Sequence, residues 1–279
     1  MLRWISLSAA VATLTMTLAS PMPAATLVFQ NGLLPDGVTP YDGQVDNYLD
    51  NVRRNLNYGA AGLVQIGNNQ GNYVARGILR FDDIAPYIPA GEVVSSATLE
   101  LKSFNTPAMV VDTDVQLYAI NTGNAGWVEG TSNGGPVEDG TSVWESKAVD
   151  AAFVSPTLWV GGPGLGNPGD GYGLTPLDTP TALVSQSVTT LTYSLPASLV
   201  QSWIDNPSSN AGLLLRVPDE ANDAAGNGQE FFTTIHSAEN TNTGARPILR
   251  IETVPEPGSL TLLGIGMGLL AWRSRPHAS

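Results

Sequence analysis

An all-β fold, a β-sandwich expected in jelly-roll form with one short helix, is what this sequence predicts on three observations. Apolar and polar residues alternate in short runs between residues 26 and 253, the period of half-buried strands. The 30 Gly and 20 Pro of the 279 residues lie largely between those runs, as turns require. In the same region, helical spacing of apolar residues occurs only at Leu199, Val200, Trp203 and Ile204. A separate hydrophobic helix is expected at each terminus.

Composition sets further bounds. A hydrophobic share of 42% is enough for a core, and charged residues at 13% are too few for an extended disordered chain. The net charge is -13, and residues 26–254 alone hold 9 basic against 24 acidic side chains. Such a surface repels phosphate backbones, so no nucleic-acid partner is expected. The absence of cysteine excludes disulfides, thiolate metal sites and cysteine nucleophiles.

The first strand is expected at residues 26–29, closed by Asn31-Gly32, a hairpin-turn pair. Strand patterns follow at 63–67 and 77–82, where Leu79 and Phe81 face one way and Arg80 and Asp82 the other. Pro86, Pro89 and Gly91 break the chain before its clearest alternation, Ala97, Leu99 and Leu101 against Thr98, Glu100 and Lys102. Residues 115–120 give another strand, and 123–129 are expected to return through Trp127. Gly, Pro, Asn and Asp dominate 132–140 and 161–180; the second stretch is long enough to be a functional lid or plain surface. Strands resume at 188–195, the short helix follows, and 212–217, 230–237 and 248–253 close the sheet.

Residues 1–25 read as an address. Arg3, an apolar run from Ile5 to Ala19 and small residues up to Ala25 have the layout of a secretory signal peptide, cut after Ser20 or Ala25. At the other end, Val254, Pro255, Glu256 and Pro257 precede an apolar run from Leu260 to Trp272 and the basic Arg273 and Arg275. That order resembles the PEP-CTERM sorting signal across 254–279. The resemblance implies export through the inner membrane of a Gram-negative bacterium, an exosortase-type processing protease as partner, and a destination at the cell surface or in extracellular matrix. The apolar run is shorter than the ~20 residues that span a bilayer comfortably, which suits transient inner-membrane anchoring.

Between the two ends, one domain is expected over 26–253. Asp46 to Asp50 with Asn57-Tyr58-Gly59, then Arg76 to Asp82, Pro89-Ala90-Gly91 and Ser96 to Leu99 resemble the DNRLRE, or disaggregatase-related, domain. Trp127 to Gly130, Val143-Trp144, Leu199 to Trp203, Ala211 to Leu215, Ser237 to Glu239 and Arg246 to Leu249 continue the resemblance in order. The name-giving motif is only approximated, by Asp50 to Arg54. What the resemblance implies is a secreted jelly-roll module of surface and polysaccharide-associated proteins, in some cases carbohydrate-binding, without catalysis.

A sandwich that binds sugar needs aromatic faces beside polar groups, and Trp127, Trp144, Trp159 and Tyr172, in or beside turn-rich sequence, are the expected ligand residues. Trp203, in the helical pattern, is expected in the core. No cofactor is expected beyond a structural calcium ion, for which Asp219, Asp223 and Asp46 are the candidate ligands. The acidic segment 219–230 is no EF-hand, because Ala221 and Ala224 occupy the third and sixth positions. H-E-x-x-H and P-loop patterns are absent, and the two histidines are His236, inside a strand pattern, and His277, in the tail. The expected function is therefore a non-enzymatic exported protein working by adhesion or glycan contact in exopolysaccharide. Its rival is a secreted polysaccharide-active enzyme using paired carboxylates.

Overall fold

The computed structural model describes residues 25–69, 73–104, 113–150, 152–182, 188–218, 220 and 231–256. Both terminal apolar runs, with Pro257, Arg273 and Arg275, and the two acidic candidates Asp219 and Asp223, lie outside the described residues. No described helix is long and apolar enough to cross a membrane.

Strand β5 (Glu92–Phe104) organises the sheet. Its Ala97, Leu99 and Leu101 are buried while Thr98, Glu100 and Lys102 keep partial exposure, because side chains of a strand alternate between faces. It pairs with β14 (Ile248–Pro255) and with β11 (Thr190–Leu195), then with β13 (Phe231–His236) at Ser103 and Phe104. Opposite the break between Glu252 and Thr253, Ser95 is skipped, so Val94 and Ala97, three residues apart, both point inward.

The remaining strands extend this frame. With β1 (Ala25–Phe29), β3 (Leu63–Asn69), β4 (Tyr73–Phe81), β12 (Leu213–Arg216) and β7 (Gln116–Ala119), the order is β1-β14-β5-β13-β3-β4-β12-β7. Besides β11 on β5, β2 (Gln44–Asp50) lies on β4. Every described pairing is antiparallel within one curled sheet. Two minor pairs, β6 (Thr113–Asp114) with β10 (Thr181–Ala182) and β8 (Ser146–Ala148) with β9 (Thr157–Leu158), sit apart from it. Helix α1 (Ala197–Asp205) buries Val200 and Trp203, and its Gln201 side chain accepts the Val94 N–H of β5 at 2.8 Å. The expected all-β class with one short helix is what the described residues show.

Two departures from the sequence reading matter. Asn31-Gly32 does turn the chain, with Gly32 at φ 92°, but β1 pairs with β14 and β2 with β4, so no β1–β2 hairpin forms. Residues 123–129 form no return strand. They open a layer of loops that runs to residue 180 and covers the outer face of β2, β4, β12 and β7.

That cover explains why Leu213, Leu214 and Leu215 of β12 are all fully buried. Leu213 and Leu215 join Leu79, Leu99 and Leu117 in the main core, whereas Leu214, Ile78, Leu49 and Tyr118 face the loops in a second core. A strand buried on both faces has no polar side to show. The stretch 161–180 thus includes packed cover, holding Leu165 and Tyr172 in that second core.

Candidate functional site

The four aromatic residues expected to carry a ligand all belong to the second core. Trp127 is 0% exposed, Tyr172 1%, Trp159 3% and Trp144 9%. Their polar atoms are used internally: the Trp127 indole N–H donates to the Ala211 carbonyl at 2.9 Å, the Trp159 indole to the Val143 carbonyl at 2.8 Å, and Arg216 donates to the Tyr172 hydroxyl. Trp127 and Trp144 lie under the guanidinium groups of Arg80, at 4.7 Å, and Arg76, at 5.4 Å, on the outer face of β4. None of the four rings is exposed as a stacking platform; they fasten the loop layer to the sheet, and Trp127 also lines a cleft beside it. Arg76 also forms a two-point pair with buried Glu220, its Nε 3.0 Å from both carboxylate oxygens, and Arg216 joins at 3.2 Å.

A different group of residues converges at the edge of β2. This strand has β4 on one side; elsewhere its Asp46 N–H donates to the Glu129 carboxylate at 2.5 Å, and the Asp46 carboxylate accepts the Ala238 N–H at 2.7 Å. Asp46, Glu129 and Glu239 thereby come from strand, loop layer and the turn after β13, and each offers an oxygen within 4.8 Å of the others. Asp46 was expected as a metal ligand; its two partners were not.

The Asn57-Tyr58-Gly59 turn holds Glu129 in place. Asn57 donates its side-chain amide to the Glu129 carbonyl at 2.5 Å and to the Ser142 carbonyl at 3.0 Å, while its own oxygen accepts the Gly59 N–H at 3.1 Å. Asn47 of β2 adds a bond to the Ser142 carbonyl at 3.1 Å and accepts the Tyr58 N–H at 3.2 Å. A Cβ on Gly59 would stand 2.4 Å from the Glu129 carbonyl oxygen, so only glycine lets the two loops approach so closely.

Burial dominates the electrostatics of the three carboxyls. It raises the Asp46 pKa far above the usual carboxylate range, with the neighbouring Glu239 and Glu129 charges adding to it. Burial first and the Glu239 charge second push Glu129 up to about 8, against opposing bonds and the Arg80 charge. Glu239 is raised by burial as well. None of the three takes part in an ion pair among the described residues. Arg80, whose charge opposes the rise at Glu129, is itself paired with Asp82 at 2.6 Å and 2.7 Å.

Beside this cluster a cleft of about 360 Å³ opens between the sheet and the loops, lined by Val45, Arg80, Trp127, Glu129, Thr131, Glu138 and Asp139, although Trp127 itself is 0% exposed. Within the same loop, residues 130–134 spell G-x-S-x-G. Ser132 gives its hydroxyl to the Pro136 carbonyl at 2.8 Å in an exposed loop, without the strand-to-helix turn of a nucleophile elbow. His236 is buried, and its Nδ1 lies 2.8 Å from the Asn240 amide nitrogen.

The C-terminal signal begins inside the fold. Val254 pairs with Val93 and Pro255 with Glu92 at the end of β14, and the Glu256 N–H donates to the Gly91 carbonyl at 2.8 Å. Residues 253–275 match the PEP-CTERM protein-sorting motif. The motif indicates an exported protein of a Gram-negative bacterium that is processed by an exosortase. No curated protein gives a match to the chain. The first residues of the sorting motif are therefore strand residues of β14, so the β-domain meets its sorting segment without an intervening linker.

Proposed function

We propose that this chain is a non-enzymatic surface or extracellular-matrix protein, a jelly-roll sandwich delivered by the sorting motif and working by contact with exopolysaccharide. The observation that carries the reading is the sorting motif itself, continuous with the last strand of a densely packed β-domain. The ordered resemblance to the disaggregatase-related domain supports the glycan class. With the four aromatics largely buried, we place the contact surface at the cleft beside Glu129, which Trp127 also lines and where Thr131, Glu138 and Asp139 bring hydrogen-bonding groups for hydroxyls.

A specific observation favours one rival. Glu129 borders the cleft with a pKa pushed up to about 8, the state of a proton-donating carboxyl, beside Asp46 and Glu239, although their oxygens within 4.8 Å stand closer than the about 5–5.5 Å of retaining glycosidases. Binding of the native exported protein to exopolysaccharide, measured alongside reducing-sugar release, separates the two. Binding without turnover, weakened at least tenfold by Thr131→Lys with Asp139→Lys, is the expected result. Turnover abolished by Glu129→Gln would establish the enzyme instead, and absence of binding to any envelope or matrix glycan would overturn the glycan reading.

A further inference from the structure

We propose that Asp46, Glu129, Glu239 and Gln44 bind a calcium ion that clamps the loop layer and the turn after β13 to the edge of β2.

Three carboxyls with oxygens within 4.8 Å of one another have no cationic partner among the described ion pairs. Like charges held this close in a buried site oppose one another's ionisation, so the group is poorly matched to itself. Arg246, whose charge favours ionised Glu239, spends its own donors on the Asn240 and Asn31 carbonyls at 2.9 and 3.0 Å.

Gln44 is the second and independent observation. It precedes Asp46 by two residues and so projects from the same face of β2. Its side chain is 2% exposed, and the amide acts on the Asp46 carboxyl, favouring the charged form. Yet neither its oxygen nor its nitrogen has a partner at hydrogen-bond geometry, and the buried Oε2 of Glu239 is equally unpartnered. A native fold rarely leaves such atoms orphaned, and those that remain point to an absent water or ion. A shared proton could join two carboxyls but would leave the Gln44 oxygen without a donor. A cation gives the Gln44 oxygen and the three carboxylates one shared partner, and leaves the Gln44 amide N–H to donate to a carboxylate or a water.

The donor set chooses the ion. Four oxygen donors and no nitrogen or sulfur exclude the zinc and copper classes and suit a hard cation. Oxygens within 4.8 Å of one another, brought from a strand, a loop and a turn, can share an ion in the flexible geometry calcium accepts at about 2.3–2.6 Å, whereas magnesium demands a near-ideal octahedron at about 2.0–2.1 Å and dehydrates reluctantly. Glu129 borders the cleft, which gives the ion a route in and leaves room for water ligands. An ion here would tie together chain segments 83 and 192 residues apart, those already joined by the Asp46 backbone and carboxylate bonds.

The test uses the native exported protein, stripped with chelator, in calorimetric titration and thermal unfolding with calcium or magnesium chloride and no glycan present. Expected is one calcium per chain with a dissociation constant of about 10⁻⁴ to 10⁻³ M, the range of extracellular calcium modules, and at least tenfold weaker magnesium binding. Calcium at 100 times that constant should raise the ratio of folded to unfolded protein about 100-fold. Glu239→Gln should be at least as stable as the parent in chelator, because it relieves like-charge crowding, and should gain nothing from calcium. Asp170→Asn, in an exposed loop, should respond as the parent does. No calcium response in the parent would overturn the proposal, and so would a Glu239→Gln variant that keeps the full response or loses equal stability with and without calcium. Because no glycan is used, failure here leaves the glycan reading intact.

Discussion

Replacing Gly59 with alanine probes how tightly the loop layer is latched. The added Cβ would stand 2.4 Å from the Glu129 carbonyl oxygen, 2.5 Å from that of Gly130 and 2.6 Å from the Glu129 Cγ, and two of these are backbone atoms that cannot rotate aside. Overpacking of this kind costs about 1–3 kcal/mol. If the Glu129 segment is pushed away, the Asn57 amide also loses its bond to the Glu129 carbonyl, a further loss of about 1 kcal/mol. The combined loss of about 2–4 kcal/mol corresponds to a Tm lower by roughly 4–16 °C for a domain of this size. Gly62→Ala is the matched control, since its Cβ would meet only the Asn240 side chain at 3.8 Å. That control should be neutral or raise stability by up to about 1 kcal/mol through the unfolded chain. Thermal unfolding by circular dichroism reads both variants. A Gly59→Ala protein melting within 1 °C of the parent, in a measurement good to about that interval, would refute the latch.

Two further predictions follow from buried groups. Trp127→Ala should cost about 3–5 kcal/mol in urea unfolding, because it empties a fully buried site in the second core and frees the Ala211 carbonyl, while Trp127→Phe keeps glycan affinity within about twofold; lost affinity at unchanged stability would restore Trp127 as a ligand residue. His236 should titrate below its ordinary value of 6.5, since burial first and Lys102 second disfavour its charged form. The unfolded chain then binds the proton more readily, so the His236 share of stability is complete above about pH 6.5 and declines as pH falls through the folded pKa. An imidazole NMR titration with a midpoint at or above 6.5 would contradict this.

Much of the sheet was legible because its strands obey a period of two. Ala97, Leu99 and Leu101 announced β5, and the continuous apolar run of Leu213, Leu214 and Leu215 announced β12, though only the structure shows which layer covers its second face. Strand β2 was illegible as a strand for a physical reason. Gln44, Asp46, Asn47 and Asp50 are polar yet buried, and their side chains serve turns, loops and the carboxylate cluster instead of forming a polar face. That stretch therefore offers no apolar–polar alternation to read.

The site was half legible. Asp46 could be named as a metal candidate, but Glu129 and Glu239 lie far from it in sequence, and no local spacing marks three carboxyls that meet only through the fold. The tryptophans misled because Gly-rich and Pro-rich surroundings usually mean exposed loops. Here those loops carry their own core, as Gly164 shows by coming so close to Trp144 that a Cβ would sit 2.6 Å from its ring. The Asn57-Tyr58-Gly59 turn, legible as a scaffold element, turns out also to position Glu129.

Processing at the sorting motif is the point on which the whole account turns, and the intact mass of the protein recovered from its native host tests it most directly. The expected mass is that of a chain beginning near residue 26 and ending close to Pro257, without the apolar run and Arg273 and Arg275. A mass that includes every residue through Ser279 would contradict it.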